Sequence, residues 1–202
     1  MSIEKLGKFT IAMLLGAALT GCIDAKVDVA LTSETTAKAT MTQVMGAEFY
    51  SMVVMGAEQA GADAPAEDEF CAEGELTEGA DGSATCTIVE EGRFADLTMG
   101  NDEQAIVFAA AGPGLVRISL PTAEMKAEIG ADDTMDAETR QMVEAFFTGH
   151  AVTVRFSGAE VTETNMTLSG DKRSAEQVIP FLDLINGTVE LPDELYAVVR
   201  AP

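Results

Sequence analysis

DAKVDVALTS, residues 24–33, and TAKATMTQVM, residues 36–45, decide the fold of this chain. Apolar and polar residues alternate through both. Val27, Val29 and Leu31 fall on one face of the first segment, and Ala37, Ala39 and Met41 on one face of the second. A period of two is the signature of a strand with one buried face, so the pair predicts two antiparallel strands joined by a short turn. From Gly46 to Ala60 the period changes. Phe49, Met52 and Val53 recur at helical spacing, which predicts a helix lying on the sheet.

Upstream, Lys5 and Lys8 form a short basic region, Phe9 to Leu19 is apolar, and Leu19-Thr20-Gly21-Cys22 has the form of a bacterial lipobox. The apolar run is shorter than the ~18 residues expected of a spanning helix. Residues 1–21 are therefore expected to be a cleaved lipoprotein signal peptide. The mature chain would begin at Cys22, with a thioether-linked diacylglycerol and a further palmitate-type acyl chain on its amino group. One acyl chain holds a protein only marginally at a membrane, whereas two or three make a stable anchor. Ile23 stands where an Asp would favour inner-membrane retention. The expected location is thus the cell envelope, at the outer membrane facing the periplasm, with the inner membrane as the alternative.

Composition narrows the partners. The chain has 34 acidic against 12 basic residues and a formal net charge of −22. Loss of residues 1–21 would remove Glu4, Lys5 and Lys8 and leave it more acidic still. Nucleic acid is not an expected partner, because its binding depends on Lys and Arg contacts to phosphate. The membrane would be reached through the anchor on Cys22 and not through a basic patch. The charge itself speaks to solubility, and it would also suit a basic partner.

Three cysteines divide unequally. With Cys22 lipidated, Cys71 and Cys86 remain, an even pair in an oxidising compartment, and a disulfide is expected between them. It would close the acidic, Gly-rich stretch from Gly61 to Gly82, which reads as a loop.

Further along, strands are expected at Ala84 to Val89, Gln104 to Ala110 and Leu115 to Leu120, the last two joined through Ala111-Gly112-Pro113-Gly114. A second helix is expected from about Met135 to Thr148. Gly149 stands where a left-handed C-terminal residue belongs. His150 to Phe156 and Glu160 to Leu168 alternate about Ser157-Gly158-Ala159 and predict a hairpin. Ala175 to Phe181 and Leu195 to Arg200 complete the strands. Elements grouped in blocks predict an α+β fold, a mostly antiparallel sheet with two main helices packed on it, in a single domain over residues 22–202.

At this point the chain resembles the LppM family of bacterial lipoproteins. The resemblance rests on Cys22, on Val27-Asp28-Val29-Ala30-Leu31, and on Val152-Thr153-Val154-Arg155-Phe156-Ser157-Gly158 leading to Thr164-Asn165 and Gly170-Asp171-Lys172. The acidic insert with its cysteine pair departs from the pattern, as does an end at Pro202 without the C-terminal transmembrane helix of many such domains. What the resemblance implies is an envelope domain that handles lipid or partners at a membrane surface, with no catalytic residues.

Residues that carry chemistry elsewhere find simpler roles here. His150 is the only histidine and lies near no nucleophile motif; a structural or exposed position is expected. Asp132, Asp133, Asp136 and Glu138 lack the spacing of a calcium loop, and Glu67-Asp68-Glu69 reads as a solvated loop. Met41, Met45, Met52 and Met55 would suit copper(I), but methionine is more often a core filler. No metal, no cofactor and no enzyme activity are therefore expected. The function expected is binding of a hydrophobic or amphipathic ligand, or of an envelope partner, between the sheet and its helices. Phe49, Met52, Met142 and Phe146 are its candidate lining. The alternative is a structural or assembly scaffold of the envelope with an acidic partner-binding face.

Overall fold

The computed structural model describes residues 23–60, 70–97, 106–122, 141, 144 and 147–202. In chain order the elements are β1 (Ile23–Leu31), β2 (Thr36–Met45), α1 (Ala47–Ala60), β3 (Glu75–Glu78), β4 (Ala84–Arg93), β5 (Val107–Gly112), β6 (Leu115–Pro121), β7 (Ala151–Ser157), β8 (Glu160–Thr164), β9 (Thr167–Leu168), β10 (Ser174–Pro180), α2 (Phe181–Ile185) and β11 (Glu194–Arg200). Gln141, Glu144 and Phe147 are also helical, and fall in the second helix expected from the sequence. The fold is α+β. Its strands divide into a seven-stranded sheet, order β3-β4-β2-β1-β7-β10-β9, and a four-stranded sheet, order β5-β6-β11-β8.

The alternating segments behave as their period demands. β1 and β2 pair antiparallel from Ile23↔Met45 to Leu31↔Ala37, which puts Val29, Leu31, Ala37 and Ala39 on the same side, all buried. The turn between them is closed by Thr32 N–H and Ser33 N–H, both donating to the Thr36 carbonyl. On its other edge β1 pairs parallel with β7, Val29 opposite Phe156. Every other pairing in both sheets is antiparallel. The inward face of the larger sheet meets Val116, Ile118, Leu195, Ala197 and Val199 of the smaller one in the main core. Phe147 and, from α2, Phe181 and Leu184 extend that core, with Phe147 and Phe181 rings 5.5 Å apart.

Two expectations fail informatively. β7 and β8 do not form a hairpin: β7 lies in the large sheet between β1 and β10, while β8 pairs with β11 in the small one. The chain crosses between sheets at Ser157-Gly158-Ala159. A Cβ on Gly158 would lie 2.5 Å from Val199 Cγ1 and 2.8 Å from the Arg200 carbonyl oxygen, so only glycine lets the crossing pass under β11. Ala159 N–H then donates to the Arg200 carbonyl and Gly158 N–H to that of Arg173. The strand expected over Glu160 to Leu168 is also broken. The Asn165 amide donates to the Glu194 carbonyl and accepts from the Tyr196 N–H, and buried Met166 turns the chain back to the large sheet as β9.

Smaller differences follow from local chemistry. β3 lies inside the stretch read as an acidic loop, its single apolar residue Leu76 opposite Cys86. The strand expected to reach Phe181 stops at Pro180, where α2 begins. Gly149 has φ +88°, the left-handed conformation expected of it, and His150 N–H donates to the Phe147 carbonyl.

Gly158→Ala is expected to destabilise the domain by about 1–3 kcal/mol through overpacking. Phe156→Ala, at a fully buried site, should cost about 3–5 kcal/mol. Urea unfolding of both variants against the parent checks the order.

Candidate functional site

The pairing registers bring several chain segments to one end of the large sheet, the end that Ile23 occupies. Met45, Ala84 and Glu78 lie level with Ile23 through successive pairings, and Ala151 opens β7 beside Asp24. Asp24 fastens that end. Its Oδ1 accepts from the Ala151 N–H at 3.0 Å, and its Oδ2 is 3.1 Å from His150 Nδ1. His150 thus has a structural partner in the first strand. Phe181 N–H donates in turn to the His150 carbonyl, which ties α2 to the same end.

Here α1 lies on the inward face and builds a second, smaller core. Met45, Tyr50, Phe70, Cys71, Ala84 and Cys86 are buried in it, with Phe49, Val53, Val54, Leu76 and Ile88 half-buried around them. Cys71 and Cys86 form a disulfide across a sequence separation of 15 residues. Cys86 faces inward because β4 alternates as β2 does, and its register partners are Gln43 and Leu76. The Tyr50 ring packs 6.2 Å from that of Phe70, and its hydroxyl donates to Glu78 at 3.0 Å. This core closes the root of the acidic segment and fixes α1 to the sheet.

The described side chains therefore form two clusters, and a seam runs between them. Val27 belongs to the main core and Ile88 to the smaller one; Met41 of β2 stands in register between the two, is half-buried, and belongs to neither. One row nearer the start of β1, half-buried Ala25 and Gln43 continue the seam, with the Gln43 amide 3.8 Å from the Met41 sulfur. Along this row the amide is the one polar side chain among apolar ones.

The residues proposed from sequence fall unevenly about this seam. Phe49 is half-buried against the smaller core, while Met52 is on the outward side of α1 and 46% exposed. Met142 and Phe146 lie outside the described residues, as do Cys22, Glu67-Asp68-Glu69, Asp132, Asp133, Asp136 and Glu138. Met45 points into the smaller core and Met52 and Met55 away from it, so these thioethers do not converge. Among the described residues, no group of three or more His, Cys, Asp or Glu side chains is placed to hold a metal ion, and no helix is long and apolar enough to cross a membrane.

Two polar surfaces complete the picture. Lys26, Asp28, Thr40, Thr42, Thr87 and Arg155 share the outward face of the large sheet, none of them buried, with Arg155 and Asp28 paired at 2.8 Å. On the small sheet the Arg117 guanidinium lies 3.7 Å from the centre of the Tyr196 ring and pairs with Glu194. The Tyr196 hydroxyl donates to Glu163 at 2.9 Å, and this hydrogen bond raises its pKa above the usual phenol value. In each, an arginine is paired with a carboxylate.

No family model and no curated protein matches the chain. The NMR structure of the folded domain of Mycobacterium tuberculosis LppM is similar to it, at 11% identity and a TM-score of 0.47, covering 90% of this chain and 91% of that one.

Reduction of the disulfide, or the double substitution of Cys71 and Cys86 by Ser, is expected to lower stability by about 3 kcal/mol in the chain-entropy model. Thermal unfolding with and without reductant checks it: the parent should lose stability on reduction and the double variant should not respond.

Proposed function

We propose that this chain is a non-enzymatic lipoprotein of the bacterial envelope, cleaved after Gly21 and anchored by acyl chains on Cys22. Its single domain over residues 22–202 receives an apolar or amphipathic ligand at the seam between the two cores. The observation that carries the reading is a coincidence of position. The lipobox ends at Cys22, β1 opens at Ile23, and the seam through Ala25, Gln43, Val27 and Met41 starts two residues later. A lipid leaving the membrane beside the anchor would meet this seam before any other apolar surface of the main sheet. Phe49, half-buried on the inner side of α1, Met52 on the outer side of the same helix, and Met142 and Phe146 remain its candidate lining. The proposed location is the outer membrane, facing the periplasm.

A scaffold role is the second reading. It is favoured by the outward face of the large sheet, where charged and threonine side chains stand unburied across four adjacent strands. A basic envelope partner meeting the acidic domain would be released by salt, whereas an apolar ligand would not.

The test is to secrete residues 23–202 into an oxidising periplasm behind an ordinary cleavable signal, then to examine the purified domain by native mass spectrometry and lipid extraction. A lipid at fixed stoichiometry is expected. Met41→Ala should reduce its retention roughly tenfold, the equivalent of ~1.4 kcal/mol, with a smaller effect on unfolding. A ligand-free domain, together with salt-labile capture of an envelope protein, would favour the scaffold instead.

A further inference from the structure

We propose that the outer side of α1 lies against the lipid bilayer that holds the anchor, so that the domain rests on the membrane along this helix. The inference rests on the anchor reading of Cys22 and adds an orientation to it.

Three observations carry it. First, α1 is at the anchored end. It follows Met45 by two residues, and Met45 is the register partner of Ile23, the neighbour of Cys22. The side chains beneath it, Ala84, Cys86 and Ile88, stand level through β2 with Ile23, Ala25 and Val27. At ~3.3 Å per residue the helix therefore overlies the first ~13 Å of β1 measured along the strand.

Second, α1 is apolar on a side that the described residues leave exposed. Phe49, Tyr50, Val53 and Val54 face the smaller core, yet Met52 and Met55, three residues apart on the opposite side, are 46% and 50% exposed. Six large apolar side chains of the described residues are this exposed, and two of them fall on this one helix. Exposed apolar groups grouped on one element mark a surface that another apolar phase covers.

Third, charge is sparse where it abounds elsewhere. From Phe49 to Ala57 no side chain is charged at neutral pH, in a chain of net charge −22, and the exposed Glu48 lies one turn before Met52 in the first turn of the helix. The uncharged stretch that bears the two thioethers can enter the boundary between head groups and acyl chains while Glu48, at the helix start, stays at the head groups. The anchor supplies the binding strength, and α1 supplies the direction in which the domain leans. That posture also brings the neighbouring seam close to the lipid phase from which a ligand would come.

The chain contains no tryptophan, so one introduced at position 55 reports on its own surroundings. The full lipoprotein carrying Met55→Trp would be reconstituted into phosphatidylethanolamine–phosphatidylglycerol vesicles, with and without brominated acyl chains. Val89→Trp, on the outward face of the large sheet, serves as the reference, and Met52→Trp replaces the first variant if that one does not fold. The expected result is a blue-shifted emission at position 55 that brominated lipid quenches, while the tryptophan at position 89 stays solvent-like and unquenched. If the protein carries acyl mass and floats with the vesicles but the tryptophan at position 55 stays solvent-like, or both positions are quenched alike, the orientation is overturned and the anchor stands. A blue shift without bromine quenching would also overturn it, in favour of a second protein copy on α1. An unmodified Cys22 by intact mass would overturn both.

Discussion

The parallel pairing of β1 with β7 is the constraint on which the rest of the structure depends. β1 is bonded along both edges, antiparallel to β2 and parallel to β7, and its inward residues Val29 and Leu31 meet the small sheet. A parallel neighbour cannot be reached by a tight turn, so the whole chain between β1 and β7 has to be placed elsewhere. Its described elements include β2, α1, and β3 and β4 on one side of β1 in the large sheet, and β5 and β6 of the small one. The crossing at Gly158 then carries the chain from β7 into the small sheet, and the return at Asn165-Met166 brings it back. The two sheets are thereby laced together twice within a short length of chain, over one shared core.

That arrangement explains why the end of the sheet at Ile23 is chemically distinct. Main-core residues fill the inward face of β1 from Val27 onward, while α1 covers Met45 of β2 and Ala84, Cys86 and Ile88 of β4 and is held there through the Cys71–Cys86 disulfide. Two clusters with different coverings leave the seam at Met41, and the pairing of Asp24 with His150 and Ala151 keeps the first strand in place beside it. A tether at Cys22 would transmit its pull straight into the central strand of the sheet, which has hydrogen bonds on both sides to resist it.

Much of the fold was legible because its signals are local. Alternation over residues 24–33 and 36–45 marked β1 and β2, the change of period after Gly46 marked α1, and cysteine parity marked the disulfide. What could not be read was the choice of sheet. β7 and β8 alternate in the same way, and Ser157-Gly158-Ala159 has the composition of a hairpin loop; the deciding contact is with Val199 and Arg200, which no local window contains. β3 was hidden because Glu75 and Glu78 dominate a strand with one inward apolar residue. The seam was hidden for a similar reason. Met41 reads as ordinary core until the register shows it standing between Val27 and Ile88, in two clusters that do not merge. Half of the residues first chosen for a ligand site, Met142 and Phe146, fall outside the described residues, and their helical spacing alone says nothing of what they face.

The central claim is that a lipid-bearing Cys22 directly precedes the first strand. Intact and fragment mass spectrometry of the protein extracted from bacterial membranes tests it most directly. The account predicts a chain beginning at Cys22, with two or three acyl chains confined to that residue and Cys71 linked to Cys86. A chain beginning at any other residue, or a Cys22 free of acyl groups, would contradict it.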